Sequence, residues 1–290
     1  PILTHGPRCS AFEAGFEAFL GGGHAVTTSS CTSALHLFNM YLRLGPGDEV
    51  ILPAISHVAT AHAVEITGAT PVFVDCNNVD GNIDTTTLAA VIGTKTKAIC
   101  LVHFNGLPAD MTEIMAIADA HGIPVLEDCA TALGSTWDGK HVGLFGAGAA
   151  FSFYPAKHIT SAEGGMFVSR KKDVTEQVLR LRGFSYDRSL NERKLPGIYD
   201  VDGLGMNFRM SELQAALGHS QLKRLRTFLD VRGNNFQDYK ERLAGVKGLR
   251  ILEPADPRAV NAYYCLTVIL SGSKEGVRDE LLARLPALGF

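Results

Sequence analysis

The sequence lacks the features that mark disulfide-rich, zinc-binding, membrane-spanning and nucleic-acid-binding proteins. Its six cysteines are scattered and form no CxxC pair, which argues against a disulfide framework or a zinc site. The formal net charge is -3 and no basic run is present, so neither nucleic acid nor a membrane surface is an expected partner. No apolar run is long enough to span a bilayer and no signal peptide is visible, so the expected compartment is the cytoplasm.

The composition is that of a globular protein with a large core. Of the 290 residues, 46% are hydrophobic, and the length favours about two domains. We assign residues 24–209 to a large α/β domain. Residues 1–23 and 210–290 then form an N-terminal segment and a smaller α+β domain that is incomplete as given.

Short apolar strands alternate with helical patterns through the first half of the chain. Strands that are apolar throughout and separated by helices indicate a mostly parallel sheet with both faces covered. The pattern predicts strands at 24–29, 50–52, 71–74, 98–102 and 124–126, and helices at 34–44, 57–67, 84–92 and 110–121.

The pattern is weaker after residue 169. A polar helix is expected at 173–183, and the charged stretch 184–205 has no period and is too long for a simple connector. We interpret it as a binding or subunit-contact loop. Beyond it, the sequence predicts helices at 210–229 and 231–243, a strand at 262–270 and an amphipathic helix at 274–288.

One lysine stands between two apolar runs. Residues 149–154 read as a buried strand, the period is lost at Pro155, Lys157 follows in a loop, and a second apolar run ends at Val168. A desolvated lysine loses its proton readily and can then form a Schiff base with an aldehyde. A lysine in an ordinary surface loop is the alternative.

Several hydroxyl groups follow predicted strands. Thr32 and Ser33 open a helix after a strand, where free N–H groups and the helix dipole favour an anion, and Ser152 ends a strand that reaches the same edge of the sheet. Ordinary N-capping is the alternative for the first two, and on spacing alone it is the better interpretation.

A carboxylate and a flat ring are expected at the same edge, where the end of the strand predicted at 98–102 also places His103. Asp128 ends an apolar strand, where it can bond a protonated ring nitrogen and so keep a pyridinium electron-poor. A structural ion pair is the alternative for Asp128. His57 opens a helix after a strand, where its ring can stack on a cofactor or can simply be a partly buried histidine.

An anion cradle, a carboxylate, a ring and a lysine in this order describe a site for pyridoxal 5′-phosphate (PLP). The chain resembles the DegT/StrS-type sugar aminotransferases of PLP fold type I over nearly its whole length. The matching motifs are residues 29–36, 45–51, 68–75, 102–106, 127–130, 151–157, 163–165 and 205–210.

The resemblance implies a three-layer α/β/α large domain with a mostly parallel sheet. It also implies that PLP is bound to Lys157 as a Schiff base and that Asp128 pairs with the pyridine nitrogen. By the same resemblance, the residues that bind the phosphate are Thr32, Ser33 and Ser152.

Three further positions follow from the resemblance. Asn207 matches the residue that reaches the phosphate from the neighbouring subunit, which implies a homodimer with shared active sites. His57 stands where the family usually has a larger aromatic ring. Thr131 stands where many members have Gln or His, so the usual contact to the ring oxygen of the cofactor is in doubt.

The implied reaction is ping-pong transamination. An amino acid, glutamate by analogy, would convert PLP to pyridoxamine phosphate, which would then aminate a keto sugar linked to a nucleotide, such as a 3- or 4-keto-6-deoxy sugar. A PLP-dependent sugar dehydratase is one alternative, although such relatives replace the lysine with histidine. A regulatory relative that only binds the cofactor or a ligand is the other, and it would be expected to have lost Lys157 or Asp128.

Overall fold

The computed structural model describes residues 2–4, 6–187, 195, 197–254 and 256–289. Within them the helices are α1 (Pro7–Leu20), α2 (Cys31–Tyr41), α3 (Val58–Glu65), α4 (Thr85–Val91), α5 (Met111–His121), α6 (Lys172–Leu181), α7 (Glu212–Leu222), α8 (Leu225–Leu243) and α9 (Arg278–Arg284). The strands are β1 (His24–Thr28), β2 (Glu49–Pro53), β3 (Thr70–Val74), β4 (Thr96–Val102), β5 (Val125–Asp128), β6 (Thr136–Trp137), β7 (Lys140–His141), β8 (Gly148–Ser152), β9 (Gly165–Ser169), β10 (Leu249–Ile251), β11 (Ala259–Val260) and β12 (Val268–Leu270).

A seven-stranded sheet in the order β3-β2-β4-β5-β8-β9-β1 forms the centre of the molecule. Strand β9 runs antiparallel to both of its neighbours, and the other pairings in this sheet are parallel. The prediction of a mostly parallel α/β sheet is therefore confirmed.

Both faces of the sheet are covered, which is why its strands are apolar at successive positions. In β2, Val50 and Leu52 pack with α2 and α3, whereas Ile51 packs on the other face with α4 and α5. Next to α4 and α5, helix α1 buries Phe12 and Phe16 against the part of the sheet that contains β8. The helix–sheet–helix layering implied by the resemblance is present.

The C-terminal predictions need correction. The helix predicted over 210–229 is interrupted, since α7 ends at Leu222 and α8 begins at Leu225. The strand predicted over 262–270 is too long: only β12 (Val268–Leu270) is a strand, and it pairs with β10. Tyr263 adopts a left-handed φ of 55°, which a regular strand does not contain.

The helix predicted over 274–288 is also too long. Only α9 is α-helical, and 3-10 turns flank it at Gly272–Val277 and Leu285–Leu288. Pro286 explains the C-terminal limit, since proline has no N–H to continue the helix.

The proposed loop over 184–205 lies partly outside the described residues, which omit 188–194 and 196. The assignment of a large and a small domain stays a prediction. No helix in the described ranges combines the length and apolar character needed to cross a membrane.

Candidate active site

A cavity of about 500 Å3 opens at the carboxyl ends of β2, β4, β5 and β8. Ligands in open α/β sheets bind at this edge because the loops that leave the parallel strands diverge there. The residues predicted for the site that line the cavity are Thr32, His57, Asp128, Thr131, Ser152 and Lys157. The lysine and the carboxylate, far apart in sequence, therefore share one cavity.

Asp128 ends β5 and is buried in the cavity wall. Its Oδ2 accepts a hydrogen bond of 2.9 Å from Thr60 Oγ1, and its Oδ1 accepts one of 3.0 Å from the Ala130 N–H. Burial raises the pKa of Asp128, although these hydrogen bonds and the charge of Lys157 act in the opposite direction. No Lys or Arg side chain in the described ranges forms a salt bridge with Asp128, so its charge is held by neutral donors.

Lys157 enters the cavity from the loop between β8 and β9. Its N–H donates to the Tyr154 carbonyl (2.9 Å), which closes a turn after Pro155. Its Nζ lies 4.9 Å from the centre of the Tyr264 ring, and no carboxylate of the described chain lies within 4.0 Å of it. The amine therefore faces the cavity without the ion pair that an ordinary structural lysine would have.

The N-terminus of α2 forms the polar end of the cavity. Ser30 caps the helix: its hydroxyl accepts from the Ser33 N–H (3.1 Å), and the Ser33 hydroxyl accepts from the Ser30 N–H (2.9 Å). Ser33 is thus engaged in the capping alternative and does not line the cavity, so its role as a phosphate ligand stays a prediction. Thr32 does line it, as does Ser152.

Strand β9 approaches this helix terminus very closely. A Cβ on Gly165 would lie closer than 3.0 Å to backbone atoms of Ser30 and Cys31. Only glycine allows this approach, which sets the first turn of α2 directly against the paired ends of β8 and β9. Gly165, in the matching motif at residues 163–165, therefore shapes the cavity.

His57 and Thr131 line the cavity, and each makes a local hydrogen bond. The His57 Nδ1 accepts from the Ala59 N–H at 3.2 Å and so caps α3, which fixes the ring at the cavity mouth. The Thr131 hydroxyl donates to the His103 carbonyl at 3.1 Å. Stacking by His57 remains a prediction.

Asn207 does not line the cavity of its own chain. It is exposed and pairs through its backbone with Gly183, and the next carbonyl, of Phe208, accepts from the Ser29 N–H at 2.8 Å. This places the Asn207 side chain on the surface beside the strand–helix turn at residues 29–31.

A buried hydrogen bond between a histidine and a glutamate lies beneath the site. The sequence placed His103 at the ligand edge, but His103 is fully buried and its Nε2 lies 3.1 Å from Glu127 Oε2. Because the Ala109 N–H donates to Nδ1, Nε2 carries the hydrogen that Glu127 accepts. Glu127 also accepts from three N–H groups of the loop at residues 143–146. Burial acts to raise the pKa of Glu127, but His103 and these N–H groups lower it below its ordinary value.

Two residues of the site were not found from the sequence. Thr60 lies one helical turn after His57, so the helix prediction contained the signal that both face the sheet edge. Tyr264 fell within a segment predicted to be a strand, and nothing in its spacing indicated that it reaches Lys157.

The donors of the cavity fit PLP. A buried carboxylate without a cationic partner suits a protonated ring nitrogen, and a lysine without a carboxylate suits an aldehyde. The Ser33 N–H is taken by the Ser30 cap, but the N–H groups of Cys31 and Thr32 have no acceptor within the helix, and with the Thr32 and Ser152 hydroxyls they suit a phosphate.

The curated proteins that resemble this chain include the following two. GDP-perosamine synthase of Caulobacter vibrioides is 37% identical over 280 residues, which are 96% of this chain and 73% of that protein. The spore coat polysaccharide biosynthesis protein SpsC of Bacillus subtilis is 40% identical over 247 residues, 84% of this chain and 61% of that protein. The chain thus spans about three-fifths to three-quarters of the length of these relatives.

Solved structures agree in fold. DesV of S. venezuelae, crystallised in complex with a ketimine intermediate, matches with a TM-score of 0.90 and 33% identity over 99% of this chain and 74% of its own. The sequence profile of the DegT/DnrJ/EryC1/StrS aminotransferases matches residues 2–289. The chain therefore belongs to the DegT/DnrJ/EryC1/StrS aminotransferase family.

Proposed function

We propose that this aminotransferase transfers an amino group from glutamate to a keto sugar linked to a nucleotide, by ping-pong transamination with PLP. The observation that carries the proposal is that Lys157 and Asp128 line one cavity together with the N-terminus of α2. Membership in the family implies the cofactor, and the two relatives named for GDP-perosamine and for spore coat polysaccharide support a sugar as the acceptor.

The cofactor would be held at three points. Lys157 would bind its aldehyde as a Schiff base, Asp128 its ring nitrogen, and the N–H groups of the first turn of α2, with the Thr32 and Ser152 hydroxyls, its phosphate. The bound cofactor supplies an electron sink for the carbanion formed at the amino donor.

The residues of the chain would then control protons. Asp128 would keep the ring nitrogen of the cofactor protonated. Burial of an unpaired carboxylate is costly, and a cation beside it removes that cost. The Lys157 amine, once free, carries the proton that leaves the α-carbon of the donor, as a general acid–base. Tyr264 lines the cavity with this amine, and its ring would limit the access of water to it.

The substrate assignment is tested by product analysis. We expect glutamate and a panel of nucleotide-linked keto sugars to give one amino sugar, identified by NMR. Formation of a deoxygenated sugar without a new amino group would establish the dehydratase alternative instead.

The role of the lysine is tested by Lys157→Ala. Loss of a covalent catalytic group should reduce turnover by about 10³-fold or more, with an unchanged far-UV spectrum. Lys172→Ala is the matched control, because the Lys172 side chain is 73% exposed on α6. Turnover of Lys157→Ala at the control rate would exclude the assignment.

The shared site is a separate part of the proposal. In a homodimer, Asn207 would reach the phosphate bound by the neighbouring subunit, which agrees with its exposure and with its absence from the lining of its own cavity. Mixing inactive Lys157→Ala with inactive Asn207→Ala subunits should restore about a quarter of the wild-type activity, since half of the dimers would be mixed and each would contain one intact site. No restored activity after verified subunit exchange would refute sharing.

A further inference from the structure

We infer that Tyr264 is a positioning residue for Lys157, an inference that rests on the proposed function. The Tyr264 ring lines the cavity, and its centre lies 4.9 Å from Lys157 Nζ. An ammonium over the face of an aromatic ring within about 6 Å is attracted to the negative face of the ring. Among the described residues of this cavity, the Lys157 amine has no other ring contact and no ion pair.

The segment that carries Tyr264 is anchored to the loop that carries Lys157. The residue after Lys157, His158, is buried, and its Nε2 lies 2.9 Å from the Ala262 carbonyl, to which it donates. The His158 ring also lies 5.7 Å from the Tyr264 ring, centre to centre. A hydrogen bond thus joins the residue after the lysine to the residue two positions before the tyrosine.

A second anchor fixes the segment to the sheet edge. The Ala262 N–H donates to the Gly106 carbonyl at 3.1 Å. A Cβ on Gly106 would lie 3.0–3.2 Å from Asn261 Oδ1, the Thr131 carbonyl and the Tyr264 nitrogen, and Gly106 has a φ of 91°. A glycine is therefore needed for the segment to approach this closely.

A third anchor comes from α8. Arg232 Nη1 donates to the carbonyls of Tyr263 and Tyr264 at 3.3 and 3.0 Å. Tyr263 itself adopts a left-handed φ of 55°, and its N–H donates to Asn261 Oδ1 at 2.7 Å. This backbone conformation is uncommon for a tyrosine, and the segment that contains it is held by His158, Gly106 and Arg232, which lie in three separate parts of the chain.

The arrangement has a chemical consequence. The face of the ring attracts the amine and covers one side of it, so the amine stays at one place in the cavity whenever it is not bonded to the cofactor. Without the ring, the side chain would lose this preferred position, and misplacement of a reacting group by about 1 Å can cost up to about 10²-fold in rate. Tyr264 would act through its ring face, so phenylalanine should replace it.

The experiment first uses the full chain without cofactor. Wild type, Tyr264→Phe and Tyr264→Leu are reductively methylated with formaldehyde and cyanoborohydride, and the peptide that contains Lys157 is followed by mass spectrometry. We expect Lys157 to react about two- to fivefold faster in Tyr264→Leu and at the wild-type rate in Tyr264→Phe, because an aromatic ring at position 264 holds the amine and covers one side of it. Exposed Lys172 in the same digest is the internal reference.

The holoenzyme gives the second readout. Tyr264→Leu should lower kcat about tenfold with little change in KM for the amino donor, and Tyr264→Phe should restore kcat. If Tyr264→Leu does not fold, as judged by far-UV spectra, Tyr264→Met takes its place.

Three outcomes separate this inference from the function on which it rests. Equal methylation and equal kcat in all variants would overturn the inference alone. A phenylalanine variant that behaves like the leucine variant would also overturn it, since the hydroxyl and not the ring would then act. The expected methylation pattern in a protein that never transaminates would support the contact and refute the proposed function.

Discussion

Acid should destabilise this protein through His158, the residue that joins the Lys157 loop to the 261–264 segment. His158 is 4% exposed, and its Nε2–H donates to the Ala262 carbonyl while its Nδ1 has no hydrogen-bond partner in the described structure. Burial lowers the pKa of His158 from 6.5 to about 4, and the neighbouring charges of Arg232 and Lys157 add to this effect. As the pH falls below 6.5, His158 therefore becomes protonated in the unfolded chain before it does so in the folded protein.

This difference in pKa between the folded and unfolded states makes the free energy of unfolding depend on pH. A base whose pKa is lowered on folding binds fewer protons in the folded state, so its neutral form stabilises the fold fully above pH 6.5. That contribution is lost as the pH falls from 6.5 to about 4. Each pKa unit corresponds to 1.36 kcal/mol, so the loss approaches about 3 kcal/mol for this one ring.

The assay is urea unfolding of wild type and His158→Gln at several pH values between 4 and 7.5. Glutamine can still donate to the Ala262 carbonyl but does not titrate, so the stability advantage of wild type over the variant should shrink by about 3 kcal/mol as the pH falls through this window. His141, whose pKa burial also lowers to about 4, is present in both proteins and cancels. The exposed His62→Gln is the control and should follow wild type. Parallel pH profiles of wild type and His158→Gln would refute the reasoning.

Two further changes test the shape of the site. Thr60→Val removes the 2.9 Å hydrogen bond to Asp128 and should weaken PLP binding about tenfold, because a hydrogen bond to a charged group contributes about 1.5–3 kcal/mol; equal affinity by absorbance titration would contradict this. Gly165→Ala should lower the free energy of unfolding by about 2 kcal/mol or more and impair PLP binding, since its Cβ has no space, whereas Gly93→Ala, whose Cβ would contact nothing within 4 Å, should do neither. Similar urea midpoints for the two alanine variants would show that the close approach of β9 is dispensable.

The sequence contained most of what places the site. Apolar strands alternating with helices predict a parallel sheet, and the polar residues at the ends of β5 and β8 then must meet at one edge, as Asp128 and Ser152 do. The same rule was wrong for His103, because a residue that follows a strand can turn beneath the edge as well as above it. His103 instead lies buried against Glu127, which accepts four hydrogen bonds that offset the cost of burying the carboxylate charge.

The rest depended on contacts distant in sequence. Tyr264 reaches Lys157 only because Ala262 is bonded to both His158 and Gly106, and local periodicity carries no trace of such anchors. The alternation of apolar residues near 262–270 favoured a strand, yet a left-handed residue and an arginine from α8 determined the backbone. At Ser33 the local sequence was informative but ambiguous. Helix capping and anion binding use the same residue types at the same helix position, so the sequence could not separate the two roles.

We propose that Lys157 and Asp128 hold a single PLP from two sides. The most direct measurement is borohydride reduction of the protein after incubation with PLP, followed by digestion and mass spectrometry, in wild type and Asp128→Asn. We predict one phosphopyridoxyl group per chain on Lys157 in wild type, and the same site labelled only at much higher PLP concentrations in Asp128→Asn. A label on other lysines with Lys157 unmodified, or labelling of Lys157 at the same PLP concentrations in both proteins, would contradict it.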